Sequence, residues 1–206
     1  MKRILNIIAA VVLLSVGMTA CDDTNDTPVT PEVEGYKIGD LYKKGSVVGV
    51  VFKLNDEEGT SGMILSLDEW SAKWSTVYEF YEAMSTDNGL YNWSKITAIQ
   101  GWEVLFPAFG CCNTLNGGFV TGWHLPCQYD LEYIADVFGY CKGDSFDAVN
   151  KTLVENGGVA LSPDYYWSSS EAGPGLAYSI SLETGTFDQY KTDKSMEFRV
   201  RAVKHF

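Results

Sequence analysis

Four cysteines and two histidines are the side chains of this sequence best suited to redox or metal chemistry: Cys111, Cys112, Cys127 and Cys141, with His124 and His205. An even number of cysteines permits disulfides in an oxidising compartment. The run from Gln128 to Tyr140 reads as a helix. It would hold Cys127 and Cys141 roughly 20 Å apart at about 1.5 Å per residue. A disulfide spans no more than about 7 Å between Cα atoms. If two bonds form, Cys111 and Cys112 must therefore each pair with one of the other two; free buried thiols are the alternative. Zinc is not expected, because no C-x-x-C pair occurs and the only imidazoles are His124 and His205. His124, beside Trp123, reads as structural or merely exposed. No Ser-His-Asp set is present either, so no enzyme, no metal and no cofactor are expected.

Aromatic side chains near loops offer a different chemistry. The sequence holds six Trp, twelve Tyr and ten Phe. Most should fill a core, but Tyr91, Trp93, Tyr165 and Tyr166 lie at or beside the loops 87–93 and 156–166, and Glu171 opens the loop 171–176. An exposed ring can stack on a sugar while a carboxylate or amide takes its hydroxyls. These five residues are the candidate ligand contacts. The plainer reading is that the rings pin the loops to the domain.

One more thiol has chemistry of its own. Lys2 and Arg3 lead into the apolar run Ile7 to Leu14, followed by Met18-Thr19-Ala20-Cys21. A basic start, a short apolar stretch and small residues before a break describe a signal peptide over residues 1–20. The tetrapeptide is similar to a bacterial lipobox, whose cysteine is diacylated and becomes the new N-terminus, and Cys21 is the expected lipid attachment. The apolar core is shorter than the roughly 20 residues of a membrane span. Residues 21–35 are acidic, carry Thr, Pro28 and Pro31, and read as a linker. Asp22 and Asp23 resemble the export signal of surface lipoproteins in Bacteroidetes. A lipid-anchored place in the cell envelope, on the outer-membrane surface, is expected, with the membrane as a partner through that lipid.

The whole chain carries a formal charge of −12; removing residues 1–20 takes away Lys2 and Arg3 and no acid, leaving 13 basic and 27 acidic residues and a charge of −14. Such a field repels phosphate backbones and disfavours nucleic acid as a partner. Along residues 36–206, strands are expected at 36–42, 47–54 and 63–67. Helices are expected at 69–84, 93–102, 107–115, 128–140 and about 144–156, and further strands at 165–169, 177–183, 186–191 and 198–206. Strands at both ends with helices between them indicate an α+β domain whose termini pair in one sheet.

Four blocks occur in order: Gly122-Trp123-His124-Leu125-Pro126, Asp130-Leu131-Glu132, Tyr166-Trp167-Ser168-Ser169-Ser170-Glu171 and Phe198-Arg199-Val200-Arg201-Ala202-Val203. Together they resemble the major paralogous domain family first noted in Fibrobacter, close to the C-terminal domain of the Legionella collagen-like adhesin. The resemblance spans 36–206. It implies a C-type-lectin-like fold related to the formylglycine-generating enzymes, with mixed and antiparallel sheets and several helices. The calcium-site signatures of true C-type lectins and the copper-binding cysteine motif of the sulfatase modifiers are both absent. Each block also has a plain account: Trp123, Leu125 and Trp167 plug a core, and Arg199 and Arg201 pair with acids on neighbouring strands. The expected function is an adhesin-like surface binding module for a glycan or a protein ligand. The alternative is a structural or assembly subunit of an envelope or pilus-like complex, and an enzyme of the formylglycine-generating type ranks last.

Overall fold

Alternating burial in short strands sets the architecture. The computed structural model describes residues 35–137, 144–183 and 190–206. The signal segment, Cys21, nearly all of the linker, Phe138 and Cys141 lie outside them. In strands β1 (Leu41–Lys44), β2 (Val47–Leu54) and β3 (Gly62–Leu65), successive side chains point to opposite faces. Val51 and Ile64 therefore enter one apolar cluster, and Val50, Phe52, Met63 and Leu65 enter another. A sheet covered on both faces needs continuous apolar runs, which explains the sequence Val-Val-Gly-Val-Val-Phe in β2.

Five helices supply the covers: α1 (Gly89–Thr97), α2 (Trp102–Leu105), α3 (Pro107–Asn113), α4 (Gln128–Val137) and α5 (Asp144–Glu155). The first cluster takes Ile96, Phe106, Phe109 and Cys112 from α1 to α3 and their connections. The second takes Leu131 and Ile134 from α4, and Phe146, Val149 and Leu153 from α5. Pro107 opens α3, where its missing N–H costs nothing. Gly157, at a φ of 78°, ends α5, and the Gly158 amide returns to the Leu153 carbonyl at 2.8 Å.

The second sheet is built from β4 (Trp70–Lys73), β5 (Tyr165–Gly173), β6 (Leu176–Ser181), β7 (Tyr190–Asp193) and β8 (Glu197–Val200), in the order β4-β8-β5-β6-β7. Only β5 and β8 run parallel. The last strand, β9 (Val203–His205), belongs to the other sheet, which has the order β1-β2-β3-β9. The two ends of the domain thus meet, with Tyr36, Tyr42 and Phe206 ring to ring at about 5 Å.

The strand expected at 36–42 is β1 at Leu41–Lys44. The helix expected at 93–102 is split between α1 and α2, so that most of the loop expected at 87–93 is helical. Two further elements take a different form. The stretch 69–84 is not a helix: β4 is followed by extended chain. Ala72 and Trp74 are buried while Ser71 and Lys73 are exposed, a period of two, and its Trp, Thr, Val, Tyr and Phe residues favour extended backbone. The stretch 198–206 is two strands rather than one. The chain leaves one sheet after Val200 and joins the other at Val203, and Arg201 is buried at the crossing. Its guanidinium donates to the Ser66, Leu67 and Val159 carbonyls at 2.8–3.0 Å and to Glu69 at 2.7 Å.

His124 joins this crossing through a two-residue bridge to Val203. Its ring is buried, stacks on His205 with centroids 5.8 Å apart, and holds the Gly122 carbonyl through Nδ1 at 2.9 Å. Nδ1 must then donate, which leaves Nε2 without a proton, buried and unpartnered. Burial lowers its pKa from 6.5 to about 4; His205 and Lys204 act in the same direction, and Asp130 opposes them. The unfolded chain takes up a proton near pH 6.5 while the folded chain refuses it until about pH 4. Stability should therefore be complete above pH 6.5 and fall by about 3 kcal/mol on reaching pH 4. Urea midpoints measured against pH check this: a His124→Asn variant should lose most of that slope, and an unchanged slope would show that His124 is not its source.

Candidate functional site

The five candidate ligand residues do not converge. Tyr91 stands on the outer face of α1, where the Lys95 ammonium lies 5.4 Å from its ring. Trp93, two residues on, turns inward against Trp102 and Phe109. Tyr165 and Tyr166 leave β5 on opposite faces: Tyr165 stacks on Phe198, and Tyr166 is buried with its hydroxyl donating to Glu69 at 2.9 Å. Burial and the neighbouring Glu69 push the Tyr166 phenol up to about 12. Glu171 is buried too, as the partner of Lys194. Tyr166 and Glu171 are therefore corrections to the ligand set, because their polar atoms are spent inside the domain.

The cysteines separate in the same way. Cys111 is half-buried and Cys112 and Cys127 are buried, all as free thiols. The Cys127 thiol donates to Asp130 at 3.0 Å instead of bonding to Cys111 or Cys112. Burial and that carboxylate push its pKa to about 12, so it is a poor nucleophile. Among the described residues, no three His, Cys, Asp or Glu side chains gather as metal ligands.

What the sequence did not disclose is how the extended stretch 77–84 is held. Tyr81 and Ala83 face inward, with Tyr81 edge-on to Phe106 at 4.9 Å. Their amides donate to the Glu171 carboxylate at 2.9 and 3.2 Å, and the Glu171 amide returns a bond to the Ala83 carbonyl at 2.7 Å. Lys194 donates to Glu171, to the Glu79 carbonyl at 3.1 Å and to the Pro174 carbonyl at 2.9 Å, with its ammonium 4.6 Å from the Trp74 ring. A buried ion pair takes the place of a neighbouring strand, and the backbone donors and acceptors are satisfied by side chains. Asn92 completes the support from α1: it accepts from the Ser85 amide at 2.9 Å and donates to the Ser85 carbonyl at 2.7 Å.

With that face pinned, the opposite row points to solvent. Tyr78, Phe80, Met84 and Tyr91 keep 54, 44, 54 and 45 % of their surface exposed. Two hollows meet at Met84. The first, about 590 Å³, is lined by Glu82, Ser85, Asp87, Asn88 and Tyr91. The second, about 420 Å³, lies between Phe80, Thr86, Pro174 and Tyr178. Glu82, on the ridge, has a φ of 61°. A non-glycine residue there carries roughly 1–2 kcal/mol of strain, of the kind that collects at functional surfaces. Four half-exposed apolar side chains beside two hollows make this face the candidate site. Its polar groups are mostly engaged: Asn88 caps α1 by accepting from the Tyr91 amide, and Ser85 donates to Asp87.

No family model and no curated protein matches the chain. Among solved structures, a fimbrial protein from Bacteroides ovatus is similar in fold, with a TM-score of 0.61 at 16% identity, over 83% of this chain and 49% of that one. The chain thus spans about half the length of that protein. At that identity the likeness is one of fold.

Proposed function

We propose that this chain is a non-enzymatic structural or assembly subunit of a fimbria-like complex at the bacterial cell surface, tethered to the envelope by lipid on Cys21. The observation that carries this is the fold likeness to a fimbrial protein over 83% of the chain. The fate of the charged side chains supports it. Glu171, Lys194, Glu69 and Arg201 are consumed in holding backbone, and at the exposed face apolar Phe80 and Met84 stand beside polar groups that mostly bond to one another or to backbone. Among the described residues, no helix is long and apolar enough to cross a membrane, so attachment falls to the N-terminal segment. We also read the fold as a variant of the C-type-lectin-like architecture that the ordered sequence blocks imply.

A second reading, an adhesin-like module that binds glycan, is favoured by one observation: Tyr91 is exposed beside Asp87 and Asn88. A glycan array probed with the purified protein separates the two readings, since a specific oligosaccharide hit abolished by Tyr91→Ala would favour the module. For the tether, Cys21→Ser should move the protein from the membrane fraction to the soluble fraction of the producing cells. An unchanged membrane fraction would contradict lipid attachment.

A further inference from the structure

We propose that the two hollows meeting at Met84 are a docking groove for a short extended peptide segment of a partner protein, one that alternates apolar and basic side chains. The inference rests on the assembly reading and names the partner chemistry that its surface fits. Shape gives the first part. The outward row from Tyr78 to Met84 turns at Glu82, whose φ is 61°, so it covers less than the roughly 20 Å that seven residues reach at about 3.3 Å per residue. Phe80 and Met84, four residues apart with Glu82 between them, offer the apolar surface, and Pro174 and Tyr178 form the far wall. A short extended segment would cross this face with apolar side chains seated in the two hollows on either side of Met84.

Charge gives the second part. Glu82 stands on the row itself, with Glu79 beside it accepting from the Tyr81 hydroxyl and Asp87 at one end. Asp193 at the other end is reached by the Tyr78 hydroxyl. The two nearby lysines already face groups of this surface: Lys95 lies 3.4 Å from Glu82 and over Tyr91, and Lys191 lies over Tyr178. The rim is left acidic, within a chain of −12. That sign argues against two occupants at hand. A second copy brings the same charge, and the segment 22–34 carries Asp22, Asp23, Asp26, Glu32 and Glu34 with no Lys or Arg. A partner with Lys or Arg between apolar residues meets both the rim and the row. A sugar is disfavoured because Asn88, Ser85 and Asp87 bond to one another or to backbone.

The test uses the purified full chain and a fluorescein-labelled octapeptide that alternates leucine and lysine. Leucine–glutamate and serine–lysine octapeptides serve as comparisons, read by fluorescence anisotropy. Only the leucine–lysine peptide is expected to bind. Met84→Glu or Phe80→Ser should weaken it by about tenfold or more, with an unshifted melting temperature because both side chains face solvent. The double variant Glu82→Lys, Asp87→Lys should transfer preference to the leucine–glutamate peptide. Phe119→Ser, at a fully exposed turn outside the groove, and Glu57→Lys, in a distant turn, should change nothing. Equal binding of the serine–lysine peptide, or an equal loss in Glu57→Lys, would show diffuse charge attraction and overturn the groove. An oligosaccharide that displaces the peptide would overturn it in favour of a glycan site. Loss of the groove alone leaves the assembly reading standing, because that reading is judged on whether the envelope complex forms at all.

Discussion

Lys194→Met should lower the unfolding free energy by about 3–5 kcal/mol, the usual loss when one partner of a buried ion pair is removed. The cause is what the substitution leaves behind. The Glu171 carboxylate would stay buried with only the Tyr81 and Ala83 amides, and the Glu79 and Pro174 carbonyls would lose their donor. Burial draws the Lys194 pKa down and Glu171 opposes that shift. Urea unfolding of Lys194→Met, Glu171→Leu and the double variant separates the terms. The double variant should recover part of the loss, since no charge remains buried. It should not restore the stretch 79–83, whose amides would still lack acceptors. Hydrogen exchange at Tyr81 and Ala83 should accelerate in all three variants, and protection left as in the parent would show that the ion pair does not hold this stretch.

The second large effect is expected at the crossing between the sheets. Arg201→Met should also cost about 3–5 kcal/mol. The substitution strips donors from three carbonyls and leaves Glu69 facing Tyr166 and the half-exposed Arg199. Arg201→Lys should recover little, because one ammonium cannot span the four acceptors that a planar guanidinium reaches. Glu69→Gln should fall between the parent and Arg201→Met, since an amide oxygen still accepts from the guanidinium. If Arg201→Met shifts the urea midpoint by no more than a surface substitution would, the crossing is held by apolar packing alone.

The elements legible in the sequence are those whose apolar period is unbroken. Strand β2 and the helices α3 and α5 stood out through Val47 to Leu54, Pro107 and the Phe146, Val149, Leu153 face. The final strand was half legible. Arg199 and Arg201 do pair with acids, as their place among apolar residues predicts, but the alternation stops at Val200, because Arg201 is buried along with Val200 and Ala202. Nothing local, however, marks the point at which the chain changes sheets, because the partners of Arg201 lie more than forty residues or a whole sheet away. The stretch 69–84 was misread because its aromatics also repeat at helical spacing. The extended form wins through long-range partners: Trp74 reaches the Ser168 carbonyl and Glu171 takes the Tyr81 and Ala83 amides.

The candidate surface was less legible than the fold. Tyr91, read at a loop, stands on the outer face of α1, and Phe80 and Met84 lie in a stretch whose spacing predicts a helix. Glu171 was picked out as a carboxylate beside a glycine-rich loop. Its partner Lys194 carries no signal of burial, since Thr192-Asp193-Lys194-Ser195 reads as an ordinary polar turn. Pairing across the domain is what makes both residues structural, and such pairing is invisible along the chain.

The most direct test of the assembly reading is the size of the native particle. Envelopes of the producing cells would be solubilised in mild detergent, cross-linked, and resolved by native electrophoresis with antibody against this chain. The account expects a discrete complex, several times the mass of the chain, that also contains other protein subunits. Migration as a single free chain, with and without cross-linking, would contradict it and return the glycan-binding module to first place.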